Sequence, residues 1–346
     1  MKTRLFILMS LALFFSLSGC NFNEHRNIKS KSDKEGESAQ LEKLNFRLKW
    51  VIYSSFASHF VAEDSGYYKD VGLKVNILPG GPGFDPIRLV ASGADDVGLA
   101  GYEQILMARE NGIPLVAIGE DYIRSGVGFF SLKETGILKP QDFINHKVGI
   151  QAGTDKYYLY MALMNKLKID RSKITEIPVA FDLSLLFNKT VDVFPGFITN
   201  QPFVAEERGM PVNIVDPYEY GIRPGGNVYF TSEETLLKKR KELKAFLKAT
   251  MKGIIMSQQI KDEDVVDIVM KYNKELDRKA ELKIWKSTKD VLLEKDTNKV
   301  GYLYLDKWNY TANIAKEYGL IKEIPDISRC YTNELVEEIH REGFLK

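Results

Sequence analysis

The pattern of apolar and polar positions divides the chain after residue 45 into alternating stretches of strand length and helix length. Short apolar runs predict the strands, and amphipathic runs bounded by Asp or Gly predict the helices. The first strands are predicted at 46–53, 73–78, 96–100 and 115–119, with helices between them at 57–69, 86–92 and 103–111. This alternation favours a parallel sheet with helices on both faces.

The alternation begins again near residue 147. It predicts strands at 147–151, 176–180, 191–198 and 211–215, separated by helices at 156–167, 182–188 and 201–208. Two units of similar size indicate two lobes facing one cleft, with the chain crossing between them near Tyr122 and near Tyr229. A long amphipathic helix is predicted at 233–259, and helices at 263–271, 282–293 and 305–318 are expected to pack on the first lobe.

The predicted fold class is therefore α/β, with two lobes that are each a mostly parallel sheet flanked by helices, and with extra C-terminal helices. Residues 45–122 and 230–346 are assigned to lobe 1, and residues 123–229 to lobe 2. The hydrophobic content of 44% is high enough for each lobe to have its own core.

The first twenty residues have the pattern of an export signal. Lys2 and Arg4 precede an apolar run over 5–17, which is too short to span a bilayer as a stable helix. The run ends in Leu17-Ser18-Gly19-Cys20, which resembles the cleavage site of a bacterial lipoprotein. We expect a signal peptide at 1–19, a lipidated Cys20 and a flexible polar linker through residue 44; a plain signal peptide with a chance cysteine is the alternative. The mature protein would then be lipid-anchored at the cell envelope, facing the periplasm or the exterior.

Composition excludes several classes of function. With Cys20 used for lipid, Cys330 has no partner for an intramolecular disulfide, and the net charge of +1 argues against nucleic acid. The four histidines form no HExxH motif and no Cys/His metal cluster, and the chain has neither a G-x-S-x-G elbow nor a Walker loop. We therefore expect no enzyme activity, no metal, no cofactor and a monomeric protein.

Candidate binding residues follow from the rule that ligands bind beyond the carboxyl ends of strands in open α/β sheets. Lobe 1 and the first crossover contribute Ser54, Ser55, Phe56, His59, Gly80, Gly81, Tyr102, Gln104 and Tyr122. Lobe 2 and the second crossover contribute Thr154, Asp155, Tyr157, Phe181, Asp182, Phe197, Asn200 and Tyr229. The aromatic members would stack on a flat ring, and the polar members, with Glu103 and Thr199, would read amides or amines at its edge.

Some of these residues have a second interpretation. Each aromatic side chain can equally belong to the core, and His59 can be a solvated residue of a helix surface. The glycines at 80 and 81 can form a tight turn, and Thr154 can be an ordinary helix cap instead of part of an anion site. Arg124 and Arg223 are the cationic candidates for an anionic ligand.

A series of short motifs, in this order and spacing, resembles a known family. They are Gly66-Tyr67-Tyr68-Lys69-Asp70-Val71-Gly72-Leu73, Pro79-Gly80-Gly81-Pro82, Asp96-Val97-Gly98 and Asn111-Gly112-Ile113-Pro114. The family is the NMT1/THI5-like group of substrate-binding lipoproteins of ABC importers, which capture thiamine-precursor pyrimidines or riboflavin and whose cousins capture sulfonates or nitrate. The resemblance covers about residues 45–257.

The resemblance implies a type II periplasmic-binding-protein fold that closes by a hinge around a small heteroaromatic nutrient. The partners it implies are that small-molecule ligand, an ABC permease and its ATPase, and the membrane through the lipid anchor. A receptor for sulfonate- or nitrate-type anions is an alternative. Alternatives of another class are an enzyme resembling thiamine-pyrimidine synthases and a surface lipoprotein with a vestigial cleft.

Overall fold

Ten strands form two separate sheet systems in the computed structural model, which describes residues 40–293 and 299–343. The strands are β1 (Glu42–Arg47), β2 (Leu73–Leu78), β3 (Val97–Gly101), β4 (Leu115–Glu120), β5 (Val127–Leu132), β6 (Lys147–Ile150), β7 (Thr175–Pro178), β8 (Phe194–Phe197), β9 (Val212–Val215) and β10 (Asn227–Ser232). The first sheet has the order β2-β1-β3-β10-β4, in which β1 runs parallel to β2 and β3. Strand β10 is antiparallel to both of its neighbours.

The second sheet system repeats this arrangement. Strands β6 and β7 pair in parallel, and β5 lies antiparallel between β8 and β9. A parallel bridge between Val148 and Val193 joins the two parts, so the order is β7-β6-β8-β5-β9. In each system the antiparallel strand is the first one after a crossover from the other. The sequence pattern predicted neither β5 nor β10 and indicated connections between the lobes at their positions.

Thirteen α-helices are described, and they surround the sheets. They are α1 (Ala57–Asp64), α2 (Tyr67–Asp70), α3 (Pro86–Ala91), α4 (Tyr102–Glu110), α5 (Asp155–Lys166), α6 (Ser184–Phe187), α7 (Gln201–Glu207), α8 (Glu233–Lys238), α9 (Arg240–Gln259), α10 (Asp262–Tyr272), α11 (Arg278–Leu292), α12 (Leu305–Glu317) and α13 (Glu334–Arg341). A 3₁₀ turn over Ser54–Phe56 leads into α1. None of the described helices is long and apolar enough to cross a membrane.

Apolar layers on both faces of the first sheet form the core of lobe 1. On one face, α1, α9, α10, α11 and α13 pack around Phe46, Phe246 and Trp285. On the other face, α3, α4 and α12 surround Tyr102 and Trp308, whose rings lie 4.4 Å apart. The C-terminal helices therefore do pack on lobe 1, as the amphipathic pattern predicts.

Two C-terminal helices also contact lobe 2, which the sequence analysis did not predict. Ile314 of α12 belongs to the core beside α5, whereas its neighbour Ala315 belongs to the core of lobe 1. Ser287 of α11 donates a hydrogen bond to the Ile198 carbonyl after β8. Because neighbouring residues of a helix point in different directions, α12 contacts the two cores with different faces.

Several predicted boundaries differ from the described ones. Strand β1 begins at Glu42, inside the predicted linker, and β10 places Asn227, Val228 and Tyr229 in the first sheet instead of lobe 2. The helix predicted over 57–69 is divided at Gly66, which has a left-handed φ of 76°. The signal peptide, Cys20 and most of the linker lie outside the described residues.

Candidate functional site

A cleft of about 740 Å³ lies between the two sheet systems, at the carboxyl ends of β1, β3, β6 and β8. Its walls come from both lobes and from the two crossovers, represented by Tyr122 and Ser125 on one and by Gly225, Gly226 and Asn227 on the other. The volume is within the range usual for sites that enclose a small molecule.

Aromatic side chains line the cleft from both sides. Trp50, Tyr53, Phe56 and Tyr122 come from lobe 1 and the first crossover, and Phe181, Phe194 and Phe197 come from lobe 2. The rings of Trp50 and Phe181 meet across the cleft with centroids 5.8 Å apart. Tyr53 and Phe56 form an edge-to-face pair at 5.2 Å. A flat apolar ring therefore finds stacking partners on opposite walls.

Charged groups of both signs lie between the aromatic walls. The ammonium of Lys156 is 2.6 Å from Asp155 Oδ1 and 4.1 Å from the centre of the Phe197 ring. Lys49 of lobe 1 lies 3.9 Å from Asp155 Oδ2 and donates a hydrogen bond of 3.2 Å to Asn227 Oδ1. The two ammonium groups lower the pKa of the Asp155 carboxyl despite its burial.

Glu103 is the fourth charged residue of this group. It lies in the first turn of α4, its side chain is buried, and it lines the cleft. Burial raises the pKa of its carboxyl to about 7, and the nearby Lys49 ammonium limits that rise. The Glu103 carboxyl therefore exchanges protons near neutral pH, unlike an ordinary surface glutamate.

Nine of the seventeen candidate ligand residues line the cleft in the structure. They are Phe56, Gln104, Tyr122, Thr154, Asp155, Phe181, Asp182, Phe197 and Asn200. Five of them have hydrogen bonds within the protein. Gln104 Oε1 accepts from the Gly101 N–H, the Thr154 hydroxyl donates to the Gln151 carbonyl, and Asp182 accepts from Ser184. Asp155 accepts from the Lys156 ammonium, and the Tyr122 hydroxyl donates to the Ser55 carbonyl. These nine residues line the cleft at the strand ends, and their contact with a ligand stays a prediction.

His59 and Tyr229 lie in the core beneath the cleft, contrary to their predicted role as ligand contacts. The Tyr229 hydroxyl hydrogen-bonds His59 Nε2 at 2.8 Å and Asp121 Oδ1 at 2.6 Å, and His59 Nδ1 bonds the Phe56 carbonyl. Burial lowers the pKa of His59 to about 4 and raises that of Asp121 to about 7. The apolar neighbours of α1 turn the His59 ring inward, so it is neither solvated nor a cleft residue.

Three more candidates are buried in the interior of lobe 1 instead of lining the cleft. The Ser54 N–H donates to Glu281 Oε2, and the Ser55 hydroxyl accepts from Thr288. The Tyr102 hydroxyl donates to Glu120 at 2.6 Å, since its ring points from the start of α4 toward α12. Helix α11 supplies the partners of Ser54 and Ser55, and strand β4 supplies that of Tyr102; the strand-end rule takes no account of either.

The last three candidates lie outside the cleft lining. Gly80 packs so closely on the backbone that a Cβ there would lie 2.2 Å from the Leu48 carbonyl oxygen, and Gly81 forms a tight turn with Phe84. Tyr157 is half-buried on α5 but does not reach the cleft. The alternative interpretation of the glycines as a tight turn is the correct one.

Neither arginine proposed for an anionic ligand lines the cleft. Arg124 forms an ion pair of 2.9 Å with Asp216, and the guanidinium groups of Arg124 and Arg223 both stack on Tyr218. In their place the structure puts Lys49, Trp50, Gln151 and Lys156 in the cleft. Lys49 and Trp50 were missed because the predicted strand ran to residue 53, whereas β1 ends at Arg47 and frees both side chains. Among the described residues, no group of His, Cys, Asp and Glu is placed to hold a metal ion.

Comparison with known proteins agrees with this architecture. The formylaminopyrimidine-binding protein of Halalkalibacterium halodurans is 25% identical over 306 residues, covering 87% of this chain and 88% of its own. The 4-amino-5-hydroxymethyl-2-methylpyrimidine phosphate synthase of Legionella pneumophila is 23% identical, covering 86% of this chain and 93% of its own. Among solved structures, the periplasmic nitrate-binding protein NrtA of Synechocystis superposes with a TM-score of 0.68 at 11% identity, covering 88% of this chain and 89% of its own.

The family model described as NMT1/THI5 like matches residues 54–262, which is more than half of the chain. That range includes the cleft-lining residues from Phe56 through Asn227, whereas Lys49, Trp50 and Tyr53 of the cleft precede it. The chain belongs to the NMT1/THI5-like family and has the fold of a type II periplasmic binding protein.

Proposed function

We propose that this protein is the extracytoplasmic solute-binding component of an ABC importer and that it captures a small heteroaromatic nutrient. The observation that carries the proposal is the cleft of about 740 Å³, which has aromatic walls on both lobes and polar groups between them. Family membership and the similarity to a formylaminopyrimidine-binding protein support a pyrimidine precursor of thiamine, with riboflavin as the second member of the same ligand class.

Binding works by a shift of population between open and closed forms. A ring held between Trp50 of lobe 1 and Phe197 of lobe 2 contacts both lobes only when they approach each other. The ligand therefore stabilises the closed form by its difference in affinity for the two forms. The permease and its ATPase then recognise the closed form, and the hinge consists of the crossovers around residues 121–126 and 222–227. In this proposal the nine predicted residues that line the cleft are ligand contacts.

The synthase-like alternative fits the described residues less well. An enzyme that consumes its own histidine needs that side chain beside the substrate, whereas none of the three described histidines lines the cleft. His59 is buried under Tyr229, His146 pairs with Asp192, and His340 bonds the Val300 carbonyl. These positions favour a receptor.

The anion-receptor alternative also finds little support. A sulfonate or nitrate site needs an excess of positive charge, but Lys49 and Lys156 share the carboxylate of Asp155, and Glu103 lies beside them. The cleft therefore suits a ligand with little net charge.

The test is calorimetric titration of the protein without its leader against hydroxymethylpyrimidine, formylaminopyrimidine, riboflavin, thiamine and taurine. We expect binding of at least one heteroaromatic compound, with a decrease in the radius of gyration measured by X-ray scattering. Trp50→Ala should weaken binding at least tenfold, whereas Leu237→Ala, at an exposed position outside the cleft, serves as the matched control. Binding of taurine alone, or no closure with any compound, would contradict the proposal.

The envelope location is part of the same proposal. Lipidation of Cys20 and removal of residues 1–19 would anchor the receptor beside its permease. Mass spectrometry of the membrane fraction should find an acylated N-terminal Cys20 peptide, which Cys20→Ser should remove.

A further inference from the structure

Glu103 is a buried acid of the cleft that no other residue of the described ranges holds by a hydrogen bond. Asp155 is held by Lys156 and lies near Lys49, whereas the Glu103 carboxyl accepts from its own backbone N–H. Its side chain is only 5% exposed and lines the cleft. A carboxyl has about four acceptor sites, so this single bond leaves others for a ligand to fill.

The local backbone makes room for this carboxyl. Glu103 folds back over Gly101, where a Cβ would lie 2.2 Å from Oε1 and 2.3 Å from Oε2. Gly101 has an ordinary extended conformation with φ of −78°, which every residue type adopts. Position 101 is therefore a glycine because a side chain there would collide with the Glu103 carboxyl, and not because the backbone conformation requires glycine.

The charges around Glu103 leave both of its protonation states accessible. Lys49 at the end of lobe 1's first strand and Lys156 on α5 favour the carboxylate, whereas burial and Asp155 favour the acid. Burial raises the pKa of the Tyr158 hydroxyl on α5, and the charge of Glu103 raises it further. The result is a pKa of about 7 for Glu103, so the group is able both to donate and to accept.

We propose that Glu103 selects the ligand by pairing with an amidine-type edge, that is, a ring nitrogen next to an exocyclic amine. As a carboxylic acid, Glu103 donates its proton to the ring nitrogen and accepts a hydrogen bond from the amine, which gives two parallel hydrogen bonds. This inference rests on the proposed function and narrows its ligand class to amino-substituted nitrogen heterocycles. Gln104 does not compete for this role because its Oε1 is bonded to the Gly101 N–H.

The other ligand classes pair differently with this carboxyl. The N–H and one carbonyl of a flavin imide also pair with a carboxylic acid, so titration with riboflavin is needed to separate a flavin from an aminopyrimidine. A sulfonate presents acceptors alone and repels the ionised carboxyl. Replacing the amine of an aminopyrimidine by a methyl group leaves a Glu103 oxygen unpaired, and this should cost at least tenfold in affinity.

The test compares 4-amino-2-methylpyrimidine with 2,4-dimethylpyrimidine, which lacks the amine, by calorimetry. The wild-type protein should prefer the amine at least tenfold. Glu103→Gln should keep this preference because an amide also donates and accepts, and Glu103→Met should lose it. Gly101→Ala should lose it too, although Glu103 is still present, because the new methyl displaces the carboxyl.

Leu237→Ala, at an exposed position outside the cleft and the crossovers, is the control. We expect Leu237→Ala to retain both the affinity and the preference for the amine. Circular dichroism and thermal melts would show that all four variants are folded.

The number of protons taken up on binding is a second measurement, and it would not depend on Glu103 if that residue had only a structural role. At pH 8 the free Glu103 carboxyl is mostly ionised, so binding should take up close to one proton per ligand, and Glu103→Gln should abolish this uptake. Titrations in buffers of different ionisation enthalpy measure the uptake. Equal affinity for both pyrimidines, or a preference that survives Glu103→Met, would overturn the role of Glu103. If riboflavin alone closes the protein, the amidine inference fails while the proposed receptor function remains, whereas closure by taurine alone contradicts both.

Discussion

Lys49 and Asp155 face each other across the cleft, with 3.9 Å between Nζ and Oδ2, and so bring opposite charges of the two lobes together. Lys49 follows β1 in lobe 1, whereas Asp155 begins α5 in lobe 2. Both side chains are largely shielded from solvent, so their attraction is screened less than that of a surface pair.

The first prediction concerns this contact. Lys49→Met removes an attraction present only when the lobes are close, so the protein without ligand should become more open. X-ray scattering should detect a larger radius of gyration, whereas rising salt concentration should expand the wild type less, because the pair is partly shielded from solvent. Lys316→Met, which breaks a surface pair with Glu323, is the control and should not change the radius. An unchanged radius for Lys49→Met would show that the contact does not hold the lobes together.

The second prediction concerns Asp121 and His59, which share the Tyr229 hydroxyl in the core of lobe 1. Burial raises the pKa of Asp121 to about 7, so this group makes stability fall as pH rises from about 4 to 7. Burial lowers the pKa of His59 to about 4, so this group makes stability rise between about pH 4 and 6.5. The two effects oppose each other between pH 4 and 6.5.

A variant that removes one of the two groups should reveal the pH dependence that the other group causes. As pH rises from 4 to 6.5, the free energy of unfolding of Asp121→Asn should increase relative to that of wild type, and the free energy of unfolding of His59→Gln should decrease. Each difference should change by up to about 1.4 kcal/mol per pH unit. Urea unfolding at several pH values measures both slopes. Parallel pH profiles for wild type and both variants would mean that neither group is held neutral in the folded protein.

The third prediction concerns the point where the crossovers touch. A Cβ on Gly226 would lie 2.3 Å from the Tyr122 carbonyl oxygen and 2.5 Å from that of Arg124, so a side chain there forces two backbone segments apart. Gly226→Ala should lower the free energy of unfolding by about 1–3 kcal/mol, measured by denaturant titration. Gly126→Ala, on the first crossover, has open space and should change stability far less. Equal effects would show that the close packing of the crossovers is not critical.

The α/β alternation could be predicted from the sequence because the strand and helix periods are local properties of the chain. The pairing of strands depends on residues that are distant in the chain, and for this reason β5 and β10 were missed. The register of β10 against β3 and β4 brings Tyr229 into the core beside His59. Tyrosine and histidine are common in binding sites, so residue type alone did not reveal that both are buried. Likewise, Ser54 and Ser55 have their partners on α11, more than two hundred residues along the chain. Lys49 was missed for a local reason, an error in one strand boundary, and a shorter β1 would have identified it.

The last prediction concerns the mouth of the cleft, where Phe181 of lobe 2 meets Trp50 of lobe 1 at 5.8 Å. Phe181 is 62% exposed, and in the proposed closed form it covers the bound ring at the solvent side. Phe181→Ala should therefore speed ligand release about fivefold, the effect of losing one aromatic contact, while the association rate changes little. Its exposure also means that the melting temperature should stay close to that of wild type. Stopped-flow measurements of release and association separate the two rates, with Leu138→Ala as an equally exposed control away from the cleft. A slower association with unchanged release would instead make Phe181 part of the entry path.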